Sequence, residues 1–140
     1  MLDFFEPEAS EAGVEIVRYL DTELPHLLLD RPAFRQALLN LIINAQQAMP
    51  DGGQLVVRTA ARNDRVVIHL IDTGCGMDGS TASRMFEAFF STKSGGSGLG
   101  LPTTQKIIDA HGGRINVESE VGRGTQMTIE LPVPARIAGD

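Results

Sequence analysis

Eleven of the fifteen glycines fall between Gly74 and Gly124. Glycine lacks a Cβ, so this stretch gives up side-chain packing for backbone freedom and for close approach of another group. The rest of the chain must therefore supply most of the core. Phe34, Ala37, Leu38, Leu41, Ala45 and Ala48 recur at helical spacing, with Asp30 as cap and Pro32 in the first turn. That helix runs to residue 49 and stops at Pro50-Asp51-Gly52-Gly53. Gln54 to Arg62 and Arg65 to Asp72 read as strands joined by a tight Asn63-Asp64 turn. Val14 to Leu20 and Leu27 to Leu29 are shorter β-prone runs around Pro25, while the acidic residues 3–12 read as the end of a helix entering from upstream. Beyond the glycine-rich centre, Leu99 to Ala110 is helical in pattern, with Pro102 in its first turn and His111-Gly112-Gly113 at its end. Arg114 to Ser119 and Thr125 to Leu131 are two further strands around Gly122-Arg123-Gly124, the last with Met127, Ile129 and Leu131 on one face. Residues 14–134 thus read as one domain, 1–13 as the end of a linker or helix, and 135–140 as a tail.

Composition removes several classes of function. With 140 residues, 42% of them hydrophobic, the chain suits a single domain with its own core and is too apolar for a disordered tail. A formal charge of -6 opposes general binding to nucleic acid, whose phosphates need a basic surface. The single cysteine, Cys75, excludes a disulfide scaffold and a cysteine-based zinc site. No run reaches the roughly 18–20 apolar residues of a membrane span, and the first residues lack the pattern of a secretory signal. The expectation is a cytoplasmic domain without direct membrane contact.

Four motifs can carry chemistry. Asn40 and Asn44 lie four apart, about 40° around a helix axis, so their amides share one edge beside the apolar stripe. Such amides either satisfy a neighbouring backbone or ligate a hard cation such as Mg²⁺. Asp72-Thr73-Gly74-Cys75-Gly76 follows a strand. It is either an ordinary Asp-Gly turn or a place where a flat ligand lies against the main chain while the acid accepts from an amine. Gly74, Gly76 and Gly79 also satisfy G-x-G-x-x-G, but no helix, parallel strand and distant acid follow as a dinucleotide fold requires. Phe86, Phe89 and Phe90 pack a core or anchor a mobile segment just before Ser91-Thr92-Lys93. Gly95-Gly96-Ser97-Gly98-Leu99-Gly100-Leu101 then enters a helix, presenting unpaired N–H groups and a helix dipole to a polyanion, with Lys93 as a nearby cation; a plain flexible loop is the alternative. No P-loop pattern is present. His26, His69 and His111 are dispersed and read as structural, and Cys75 has no evident base.

In this order and spacing the motifs resemble the ATP-binding catalytic domain of sensor histidine kinases, in the family shared with gyrase B, the heat-shock chaperone ATPases and MutL. Asn40 to Ala48 is similar to the N box, Asp72 to Met77 to the first glycine box, Met85 to Phe90 to the F box and Gly96 to Leu101 to the second glycine box. His111 to Ser119 with Gly122 to Thr125 resembles the family's closing strands. Phe89-Phe90-Ser91-Thr92-Lys93 followed by Gly95-Gly96-Ser97-Gly98-Leu99-Gly100-Leu101 is most similar to nitrogen-regulation-type kinases.

The resemblance implies a layered α/β sandwich of the Bergerat type, a mixed sheet of about five strands with three helices on one face. It implies ATP and Mg²⁺ as ligands. Asp72 would accept from the adenine N6 amine, Gly74, Gly76 and Met77 would line the ring, and Thr125 would support it. Asn44 would ligate Mg²⁺ with Asn40, Gln47 and Ala48 beside it. Lys93 and the segment Ser97, Gly98, Leu99, Gly100 and Leu101 would hold phosphates, and Phe86 to Phe90 would hinge a lid. Asn40, Asn44 and Lys93 are the catalytic candidates. Hydrolysing relatives carry Glu in place of Asn40, and an amide cannot take a proton from water, which implies transfer rather than hydrolysis. Gln47 stands where several kinases carry a cation, leaving Lys93 as the main one. None of the three histidines sits in an acceptor motif, so the phosphoacceptor would belong to a dimerisation domain outside this chain, and the next acceptor to a response-regulator receiver domain. The isolated domain is then expected to be a monomer and its parent kinase a homodimer. The alternatives are a nucleotide-responsive module without catalysis and a slow ATPase.

Overall fold

A computed structural model describes residues 13–20, 30–87 and 100–133. In chain order these form β1 (Val14–Tyr19), α1 (Arg31–Ala48), β2 (Gly53–Arg62), β3 (Arg65–Asp72), α2 (Gly79–Arg84), α3 (Gly100–Ala110), β4 (Arg114–Glu120) and β5 (Gly124–Pro132). The strands make one sheet in the order β1-β2-β3-β5-β4. Only β1 runs parallel to its neighbour, and the other pairings are antiparallel, so the sheet is mixed as expected. The readings of residues 3–12 and Leu27 to Leu29 lie outside the described residues.

Local chemistry accounts for the element boundaries. Asp30 caps α1, its Oδ1 accepting from the Ala33 N–H at 3.2 Å, with Pro32 in the first turn where a missing N–H costs nothing. At the other end the Met49 N–H donates to the Gln46 carbonyl at 3.0 Å, and the Gly52-Gly53 turn begins. Between β2 and β3, Asn63 takes φ 55°, a left-handed conformation that asparagine tolerates in a two-residue hairpin turn.

Register decides which residues face the helices. Val66, Ile68, Leu70 and Asp72 of β3 stand opposite Leu131, Ile129, Met127 and Thr125 of β5. All eight are buried and share one face. Leu55 and Val57 extend this face into β2. Against it pack Phe34, Leu38, Leu41, Ile42 and Ala45 of α1 and Ile108 of α3 in a single apolar cluster. The two helices run antiparallel. At one end, the His111 Nδ1–H donates to the Ile107 carbonyl at 2.7 Å, while its Nε2 accepts from the Asp30 N–H at 2.9 Å. The opposite face of the sheet carries His69, bonded to the Thr128 hydroxyl at 3.1 Å and to the Gln126 amide at 3.2 Å. Both described histidines are thus held in structural bonds.

One element was not foreseen. Residues 79–84 form α2, a helix that buries none of its own residues and so shows no apolar periodicity. Asp78 caps it, accepting from the Thr81 N–H at 2.7 Å, and Met85, just beyond it, enters the core. No described helix is long and apolar enough to cross a membrane.

Candidate functional site

The sheet's central strand ends in an acid. Asp72 is the last residue of β3 and is only 6% exposed. Its Oδ1 accepts from the Gly74 N–H at 2.9 Å and from the Thr125 N–H at 3.2 Å. Two donors, one from the loop that follows β3 and one from β5, therefore set the direction of this carboxylate.

The loop after Asp72 is suspended between two elements. The Cys75 N–H donates to the Ala48 carbonyl at 3.1 Å, which also satisfies an otherwise orphaned acceptor at the end of α1. The Cys75 carbonyl accepts from the Gly122 N–H at 2.8 Å in the β4–β5 turn. Gly74 packs so closely on α1 that a Cβ placed there would lie 2.6 Å from the Ala48 carbonyl oxygen. Gly76 combines φ +71° with a hypothetical Cβ only 2.0 Å from the Glu120 carbonyl oxygen. No other residue type fits either place without moving the backbone. At the exit of the loop the Met77 N–H donates to Ser119 Oγ at 2.7 Å.

From α1, Asn40 reaches in the other direction. Its Nδ2 donates to the Gly100 carbonyl at 3.0 Å and to Thr104 Oγ1 at 3.3 Å, and its Oδ1 accepts from Gln36 Nε2 at 2.9 Å. The Thr104 hydroxyl, fully buried, donates back to the Gly100 carbonyl at 3.0 Å. Asn40 thus joins α1 to the first turn of α3, where Leu101 packs against the core. Asn44, half-buried, lies one turn further along α1, followed by exposed Gln47 and half-buried Ala48. From Asn40 to Ala48 the helix advances about 12 Å, so α1 is a spine linking the start of α3 to the Asp72 loop.

Of the residues expected in a site, Asp72 is bonded to Gly74 and Thr125, Ala48 holds the same loop through Cys75, and Gly76 and Met77 complete that loop. Asn40 and Gly100 form a second contact. Phe90, Lys93, Ser97, Gly98 and Leu99 lie outside the described residues. Ser119 was missed by sequence reasoning. It stands opposite Thr125 in the β4–β5 ladder, a partnership visible only once register is known.

Electrostatics mark one further group. The Asp78 carboxyl is held below its ordinary value of 3.8, chiefly by the Thr81 N–H and next by the Thr81 side chain; this group caps α2 and is exposed. Among the described residues no three His, Cys, Asp or Glu side chains cluster as a metal site.

Residues 29–135 match the family described as histidine kinase-, DNA gyrase B- and HSP90-like ATPase. The chain belongs to that family. It is 41% identical over 124 residues to the signal transduction histidine-protein kinase AtoS of Escherichia coli, covering 88% of this chain and 20% of the kinase. It is 38% identical over 133 residues to sporulation kinase E of Bacillus subtilis, covering 94% of this chain and 18% of that one. The chain therefore spans about a fifth of the length of these curated relatives. Among solved structures, full-length ShkA in complex with AMPPNP superposes with a TM-score of 0.84 at 34% identity, over 97% of this chain and 29% of ShkA. The catalytic domain of the histidine kinase ThkA, in a nucleotide-free form, gives 0.82 at 29% identity, over 93% of this chain and 86% of that domain. The expected Bergerat-type fold and the ATP-binding catalytic domain of sensor histidine kinases are thereby established.

Proposed function

We propose that this domain binds Mg²⁺-ATP and, within a longer parent protein, transfers the γ-phosphoryl group to a histidine on a dimerisation domain outside this chain. A response-regulator receiver domain then takes the phosphoryl group onto an aspartate. The observation that carries the reading is the buried Asp72 carboxylate, aimed by the Gly74 and Thr125 N–H groups beside a loop with no room for side chains at Gly74 and Gly76. A fixed acceptor next to bare backbone suits the amino edge and flat face of adenine. That ShkA, part of which shares this fold, was solved in complex with AMPPNP supports it.

The donor set fits the metal as well. Magnesium takes few protein ligands and completes its shell with phosphate and water, so one amide on a rigid helix suffices. Asn44 would supply that oxygen, with Asn40 one turn before it. When bound, the ion neutralises charge on the phosphates. Lys93 and the N–H groups of Gly98 to Leu101 would hold the phosphates, Gln47 and Phe90 would flank the bound nucleotide, and Met77 and Thr125 would border the base. Asn40 has no basic oxygen with which to activate water, so its residue type favours transfer to an imidazole over hydrolysis. The single cysteine fits a cytoplasmic domain, monomeric alone, that serves a homodimeric kinase, and a chain spanning about a fifth of its relatives' length fits a longer parent. The 89–101 pattern supports the nitrogen-regulation subtype.

The test is to mix this domain with a separately prepared phosphoacceptor hairpin and ATP labelled at the γ-phosphate. Label on histidine is the expected result. Free phosphate without phosphohistidine would identify a slow ATPase, and nucleotide binding with neither product a nucleotide-responsive module.

A further inference from the structure

Ser119 lies at the centre of a small hydrogen-bond hub. Its Oγ accepts from the Met77 N–H at 2.7 Å, donates to the Gly124 carbonyl at 3.0 Å and sits 2.8 Å from Thr125 Oγ1. A hydroxyl carries one proton and two acceptor sites. The Gly124 oxygen can only accept, so it takes the Ser119 proton. The bond between the two hydroxyls must then run from Thr125 to Ser119. This fills every position on Ser119 and fixes the direction of the Thr125 O–H. Both acceptor sites of Thr125 Oγ1 are turned away from its proton, on the strand position directly opposite Asp72.

We infer that Ser119 is a positioning residue for base selection, which keeps the Thr125 hydroxyl an acceptor and so matches the pocket to a 6-amino purine and against a 6-oxo purine. The inference rests on the adenine reading of Asp72 and deepens it. With the Thr125 proton committed to Ser119, a 6-amino group meets two acceptors, the Asp72 carboxylate and the Thr125 oxygen. A 6-oxo group meets the same two acceptors and has no proton to offer. Without Ser119 the Thr125 hydroxyl rotates and donates to the oxo group, which removes part of the penalty.

The experiment is calorimetric titration of the whole chain with ADP and with IDP, whose base carries oxygen in place of the amine. Wild type is expected to prefer ADP. In Ser119→Ala the ADP-to-IDP affinity ratio is expected to fall about fivefold to tenfold, the worth of one neutral hydrogen bond. Ser119→Thr, which keeps the hydroxyl, should restore the ratio. Thr125→Val should lower it similarly, and adding Ser119→Ala to Thr125→Val should lower it no further. A purely structural Ser119 would weaken both nucleotides equally and leave the ratio unchanged, which would overturn the inference. If Ser119→Ala fails to fold, an unchanged ratio in Thr125→Val overturns it equally. Failure of wild type to bind either nucleotide would instead overturn the adenine reading, and this inference with it.

Discussion

Gly76 and Gly79 are three residues apart and answer to different constraints. Alanine at Gly76 would need a left-handed backbone and would drive its Cβ into the Glu120 carbonyl, whereas nothing lies within 4 Å of a Cβ at Gly79. We expect Gly76→Ala to destabilise the domain by roughly 2 kcal/mol or more. Gly79→Ala, in the first turn of α2, should be neutral or stabilise by up to about 1 kcal/mol; urea denaturation of the two variants checks both. Asn44 carries a different expectation. If its oxygen ligates Mg²⁺, Asn44→Ala should lose ATP affinity mainly in the presence of metal, and equal losses with and without Mg²⁺ by calorimetry would remove it from the metal site. At this scale the sequence was informative for Asp72 and its glycines, because an acid at a strand end before two glycines is a local pattern. It was silent on Ser119 and on the Asn40 bond to Gly100, because those partners are brought together only by strand register and helix packing.

The elements were legible where their ends carry signals. Asp30, Pro32 and the Pro50-Asp51-Gly52-Gly53 break bounded α1 to within a residue, and Asn63-Asp64 placed the hairpin between β2 and β3. Helix α2 escaped because a six-residue element with no buried position leaves no 3.6-residue rhythm. The aspartate cap at Asp78 was the one available clue. That cap gives a pH prediction. The Asp78 carboxyl titrates lower in the folded chain than its ordinary 3.8, so its contribution is complete above that value and is lost as pH falls through the folded pKa. The stability difference between wild type and Asp78→Ala should therefore be steady at neutral pH and shrink below about pH 4. Urea titrations at a series of pH values measure it, and a difference that widens in acid would contradict the capping role.

Across the whole molecule, one sheet face serves two purposes. The positions that bury Val66, Ile68 and Leu70 against the helices continue, at the same period of two, to Asp72 at the strand end, and those of β5 continue from Leu131 to Thr125. Packing of the core thus delivers the acid and the hydroxyl to the same edge, next to the end of α1. Periodicity gave the separate helices and strands, and the layered sandwich was legible only through the family resemblance carried by the order of the four boxes. The strand order β1-β2-β3-β5-β4 was not, since pairing across a crossover leaves no local trace. The central claim is that Asp72 grips the base of a bound adenine nucleotide, and its most direct test is calorimetric titration of wild type and Asp72→Ala with ATP in the presence of Mg²⁺. Removing a charged acceptor from a hydrogen bond costs about 1.5–3 kcal/mol, so the account predicts an affinity loss of roughly 10- to 100-fold. Equal affinities in two folded proteins would contradict it.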